Sequence, residues 1–192
     1  QNRPIRKILA IDAISNAANM GSIIRTAAAF SIDAIILSND SCDAWYRQSV
    51  RCSMGHVINI PIMRVTDWEH SISNDNDAAK GDDDDVSGLA RVLRWLRSMN
   101  VECLAAVVDD DEDGIKSNTK AVRLPPLVSL EANQHKFESS WCCVLGNEGN
   151  GIREEVIREC NKRIKISMAS SVDSLSLPIA AGILMYTLSS RS

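Results

Sequence analysis

Five short apolar runs, at residues 8–11 (ILAI), 34–37 (AIIL), 57–60 (VINI), 103–108 (CLAAVV) and 141–145 (WCCVL), recur along the chain, and each reads as a buried strand. Between them lie helical patterns, at 22–30, 86–99, 153–160 and 177–188. In the second of these, Leu89, Val92, Leu93 and Leu96 fall at helical spacing. This alternation predicts an α/β fold, a mostly parallel sheet with helices on both faces. At 192 residues and 45% hydrophobic content, the chain is expected to form one domain over 1–192 with a single well-buried core.

Charge bounds the partners. A formal charge of -4 and a pI near 5.4 argue against a domain that holds nucleic acid through a broad basic surface. Much of the imbalance sits in two acidic runs, 75–85 and 109–113, so the rest of the chain is close to neutral. Residues 73–87 (SNDNDAAKGDDDDVS) are nearly free of apolar side chains and read as a solvated insertion with no chemistry. In the second run Asp109, Asp111, Asp113 and Gly114 match the first, third, fifth and sixth positions of a calcium loop. Position twelve is Lys120 rather than the bidentate Glu, so no metal is expected.

Six cysteines lie scattered without a CxxC pair in a chain too large to need disulfide staples, which predicts a reducing, intracellular compartment. No stretch of about 18 apolar residues occurs, and residues 1–6 are polar, so the chain is expected to be soluble, without membrane partners.

Three segments carry candidate chemistry. Residues 141–152 (WCCVLGNEGNGI) run from a buried strand into a loop with three glycines and then a helix. In an open parallel sheet, ligands bind beyond the carboxyl ends of strands, where glycines let peptide groups approach them closely. The spacing is neither GxGxxG nor that of a P-loop, and a helix-entry turn that needs glycine only for its geometry is the alternative. Residues 16–25 (NAANMGSIIR) follow the first strand. Asn19, Gly21 and Arg25 near a helix start form either a phosphate or ribose clamp, or an Asn cap beside a surface Arg. Residues 164–177 (IKISMASSVDSLSL) read as a short strand, a serine-rich loop and the final helix. The serine hydroxyls either cap that helix or orient a substrate hydroxyl.

Taken in order, NxGxxxR (Asn19, Gly21, Arg25), LGNEGxG (145–151) and IxMxxxxxSL (166–175) resemble the three motifs of the SpoU/TrmH RNA 2'-O-ribose methyltransferases of the SPOUT superfamily. Residues 46–61 (YRQSVRCSMGHVINIP) resemble the segment between the first two. The resemblance implies a C-terminal trefoil knot, a homodimer, and transfer of a methyl group from S-adenosylmethionine to a ribose 2'-hydroxyl of tRNA or rRNA. For the cofactor it implies contacts from Leu145, Gly146, Asn147, Gly149, Ile166, Met168, Ser174 and Leu175.

For catalysis the resemblance implies Asn19, Arg25, Glu148 and Ser174. An Arg side chain has a pKa above about 12, so its expected role is to fix the neighbouring phosphate and stabilise the developing alkoxide, with the proton lost to phosphate or water. Arg25 is expected to serve the site of the other subunit. The sequence departs from the family pattern at Ser176, where Asn is common, at Pro178, where a small polar residue is usual, and at Ser31, where Gly is expected. Ser176 and the acidic pI favour an alternative, a non-catalytic RNA-binding or assembly factor. The chain opens on a basic lead-in at Arg3, Arg6 and Lys7, and the family commonly attaches RNA-recognition extensions; an extension of that kind would be expected to carry much of the RNA affinity and would reconcile an acidic domain with a nucleic-acid substrate.

Overall fold

The computed structural model describes residues 5–68, 87–108, 124–130, 138–169, 171–172 and 174–191. Both acidic runs fall outside the described residues; Ser87, the last residue of the 73–87 segment, accepts the Ala90 N–H through its hydroxyl and caps a helix.

Seven strands form one sheet: β1 (Lys7–Ile11), β2 (Ala34–Leu37), β3 (Ile62–Arg64), β4 (Glu102–Ala106), β5 (Leu127–Ser129), β6 (Trp141–Leu145) and β7 (Lys162–Lys165). Their order is β3-β2-β1-β6-β4-β7-β5 and every pairing is parallel. The predicted parallel α/β sheet is therefore met. The helices are α1 (Ala17–Ala29), α2 (Arg47–Cys52), α3 (Gly88–Ser98), α4 (Glu154–Arg158) and α5 (Leu177–Arg191).

The period-2 geometry of the strands divides the core in two. Leu9 and Ile11 of β1, Leu104 of β4 and Trp141, Cys143 and Leu145 of β6 pack with α1 and α5 on one face. Ile8, Ala10, Cys103, Ala105, Cys142 and Val144 pack with α3 and α4 on the other. The continuous apolar runs of β1, β4 and β6 follow, because both faces of these central strands are covered.

Two expectations need correcting. Residues 57–60 are not a strand: Met54 and Gly55 adopt left-handed φ of 53° and 79°, and the chain turns through a 3-10 helix at His56–Ile58. The strand begins beyond Pro61, at Ile62. The first helix begins at Ala17, not residue 22, because the Asn16 side chain accepts the N–H groups of Ala18 and Asn19. Arg25 thus lies well inside α1 rather than near its start. No helix among the described residues is long and apolar enough to cross a membrane, and all six cysteines are free.

Candidate active site

β6, β4 and β7 are neighbours in the sheet, and Leu145, Ala106 and Ile164 at or near their carboxyl ends line one cavity of ≈ 340 Å³. Ligands in open parallel sheets bind at such ends, and the volume lies within the range of small-molecule sites, roughly 300–1,000 Å³. The walls are largely apolar: Ile166, Met168, Leu175 and Leu177 after β7, Val107 and Val108 after β4, and Ala180 and Leu184 of α5. Asn19, Asn147, Glu148, Ser174 and Ser176 supply the polar lining.

The loop after β6 is held by its own hydrogen bonds. Asn147 and Gly151 exchange backbone bonds of 2.9 Å each. The Asn147 side chain donates to Ala13 O (2.8 Å) and accepts the N–H groups of Gly149 (2.8 Å) and Asn150 (3.2 Å). A Cβ on residue 146 would lie 2.3 Å from Gly151 C and 2.4 Å from Ile152 N, so only glycine permits the closure. The geometric reading of that glycine is correct as far as it goes, and the same closure brings Leu145 to Glu148 against the cavity.

Asn19 Nδ2 donates to Glu148 Oε1 at 2.5 Å, joining the first and second sequence segments across the cavity rim. Asn16 performs the capping that an Asn here could have been needed for, which leaves the Asn19 amide for this bond. Gly21, two residues on, lets α2 seat against α1: a Cβ there would lie 2.4 Å from Ser49 O and 2.6 Å from Cys52 Cβ.

Of the sequence-predicted residues, the structure gathers Asn19, Leu145, Gly146, Asn147, Glu148, Ile166, Met168, Ser174 and Leu175 around the cavity. Gly149 stands outside the lining, exposed, its N–H bound to Asn147. Arg25 is also outside it, exposed on α1, its side chain making no hydrogen bond or ion pair to a described residue.

Sequence reasoning missed a supporting element. Asp12, fully buried just after β1, accepts Arg153 N (2.9 Å) and Nε (2.9 Å), and pairs with Nη2 as well. Burial works to lower the Arg153 pKa, but the bond to Asp12 and the carboxylates of Asp12, Asp40 and Glu155 outweigh it and raise it. The pair ties the end of the β6 loop to β1. An apolar run ending in Asp was the only sequence signal, and its partner lies 141 residues away.

The family model described as the SpoU rRNA Methylase family matches residues 6–80 and 87–186. The chain belongs to this family. Among curated relatives, a tRNA/rRNA methyltransferase described as uncharacterized from Archaeoglobus fulgidus is 28% identical over 95% of this chain and 63% of its own length. The 23S rRNA (guanosine(2553)-2'-O)-methyltransferase of Bacillus subtilis is 24% identical over 95% of this chain and 58% of its own. A relative from Mycobacterium tuberculosis, also described as an uncharacterized tRNA/rRNA methyltransferase, is 25% identical over 94% of this chain and 51% of its own length. The chain thus spans about half to three-fifths of the curated relatives it matches. An rRNA methyltransferase structure from Sinorhizobium meliloti superposes with a TM-score of 0.68 at 26% identity, over 95% of this chain and 55% of that one. A second structure of an rRNA methyltransferase from that organism, described as AdoMet-bound, also has a TM-score of 0.68, at 24% identity over 97% and 56%.

Proposed function

We propose that this chain is the methyl-transferring domain of an S-adenosylmethionine-dependent RNA ribose 2'-O-methyltransferase. The observation that carries the reading is the cavity at the ends of β6, β4 and β7, with the Asn19–Glu148 bond on its rim. The residues present fit the cofactor: apolar walls from Ile166, Met168 and Leu175 suit a nucleoside base, and Asn147, Ser174 and Ser176 supply donors and acceptors for ribose and amino-acid groups. When bound, S-adenosylmethionine supplies an electrophilic methyl group.

The chain's own residues have to position a weak nucleophile and stabilise the charge it develops. Glu148, fixed by Asn19, and Ser174 orient the ribose. Arg25 binds the adjacent phosphate through its planar fork and stabilises the alkoxide, while the proton leaves to phosphate or water.

The reading includes a homodimer and a trefoil knot formed by the C-terminal segment. Ile179, Ile183 and Tyr186, spaced i, i+4, i+7 on α5, are 57%, 38% and 63% exposed, an apolar stripe that a second subunit would cover. α1 packs on α5, with Phe30 and Tyr186 rings 6.0 Å apart, and on this reading Arg25 of α1 serves the other subunit's cavity. The RNA is a tRNA or an rRNA, and the setting is intracellular.

Calorimetric titration with S-adenosylhomocysteine tests the reading, repeated on Leu175→Arg, which fills the cavity. Micromolar binding that the variant loses is the expected result, followed by 2'-O-methyl product on screened RNAs. A folded wild-type chain that does not bind overturns the cofactor site. Binding without product on any RNA points to the non-catalytic RNA-binding alternative.

A further inference from the structure

In this acidic chain most described cations are held. Arg64 donates to the carbonyls of Ser38, Asn39 and Ser41, Arg94 pairs with Glu159, Arg153 with Asp12, and Arg163 Nε donates to Pro125 O. Arg47 and Arg51 of α2 differ: both are exposed and neither side chain makes a hydrogen bond or ion pair to a described residue. Directly before them stand two large aromatics facing solvent, Trp45 at 57% and Tyr46 at 58% exposure. Met54 and Ile58 follow at 68% and 75%, so one short segment holds a third of the large hydrophobics exposed among the described residues, which marks a binding surface rather than scatter.

The segment is held in place. Asp43 Oδ1 accepts Trp45 N–H (2.9 Å), and Asp43 O accepts Tyr46 N–H (3.2 Å) and the Ser49 hydroxyl (3.0 Å). Asp43 is also the single carboxylate within residues 41–60, against Arg47 and Arg51. α2 lies against α1, the helix that also carries Asn19 on the cavity rim, at Gly21. Solvent-facing aromatics beside arginines without a partner among the described residues match single-stranded nucleic acid, whose bases stack on rings and whose phosphates take the cations.

We propose that Trp45, Tyr46, Arg47 and Arg51 form a landing surface for the single-stranded nucleotides that flank the target ribose. The aromatics stack on bases and the arginines bind phosphates. This inference rests on the RNA methyltransferase reading, with the RNA as the committed occupant.

The test is fluorescence anisotropy of a labelled oligouridylate of about twelve nucleotides against wild type, Trp45→Ala/Tyr46→Ala and Arg47→Ala/Arg51→Ala, with S-adenosylhomocysteine titrated in parallel. The aromatic variant is expected to lose about tenfold in affinity per ring. In the arginine variant the slope of log K against log salt is expected to fall by about 0.7 per cation. Cofactor-product affinity stays at the wild-type value in both, which shows that they fold. Variants that bind oligouridylate as wild type does, or a wild type that binds S-adenosylhomocysteine but no oligouridylate in low salt, overturn the surface and leave the methyltransferase reading standing. A wild type that fails to bind S-adenosylhomocysteine overturns that reading instead. A drop in sedimentation coefficient on removing Trp45 and Tyr46 assigns the face to protein contact and also overturns the proposal.

Discussion

The cavity loop and the outer side of α1 and α2 are neighbours built in opposite ways. Residues 146–153 are closed upon themselves by Asn147 and Gly151 and fastened to β1 through Asp12 and Arg153. A few residues along α1 from the rim, Arg25 stands exposed without a partner among the described residues, as do Arg47 and Arg51. One region is closed by its own hydrogen bonds; the other presents charge without a partner among the described residues. On the proposed reading, the first would control affinity for a small molecule and the second turnover and capture of a polyanion.

Arg25→Ala is the sharpest way to break that division. Removing a charge-stabilising donor is expected to lower the rate of methyl transfer about 100- to 1,000-fold. S-adenosylhomocysteine affinity and melting temperature stay at wild-type values, since Arg25 touches neither the cavity lining nor a described partner. Single-turnover kinetics on a modified RNA checks it. A loss confined to cofactor affinity would mean that Arg25 belongs with the preformed region.

Asp12→Ala attacks the other side. Asp12 is fully buried and pairs with Arg153, whose side chain remains 35% exposed and can recover some hydration. Stability is expected to fall by about 3 kcal/mol, the low end for breaking a buried pair. S-adenosylhomocysteine affinity falls with it, as the loop loses its tie to β1. A double-mutant cycle with Arg153→Ala reads the coupling: additive losses would show that the two residues do not act as a unit.

Legibility in the sequence follows the same division. β1, β2 and β6 were readable because central parallel strands covered on both faces need unbroken apolar runs. β7 (KRIK) was read only from Ile164 onward, because Lys162 pairs with Glu102 at 2.6 Å and Arg163 donates to Pro125 O, so its charges are satisfied at the flank of the sheet. The ordered motifs led to the polar rim, yet nothing local foretold that Ala106, Val107 and Val108 would close the cavity from β4, since only the strand order sets β4 between β6 and β7. Arg25 could be named from its motif but not located relative to the cavity, because one helix beginning at Ala17 rather than five residues later changes which turn carries it.

The smallest expected effect tests whether the open region is also the less optimised one. Ser31, the residue that departs from the family's Gly just after α1, holds a left-handed φ of 54° with its side chain exposed. Its N–H reaches Ala28 O at 3.2 Å and the following Ile32 N–H reaches Ala27 O at 3.0 Å, so the conformation is fixed by the end of the helix rather than by the serine. An L-residue pays about 1–2 kcal/mol for that region, and glycine recovers most of it while losing roughly 0.5–1 kcal/mol to its freer unfolded chain. Ser31→Gly is therefore expected to stabilise the protein by about 0.5–1 kcal/mol, a rise of roughly 1–4 °C by calorimetry for a chain of this size. Methyl transfer and cofactor affinity should not move. An unchanged or lower melting temperature would show that the serine hydroxyl contributes to the turn, and that the outer side of α1 is as closely fitted as the loop over the cavity.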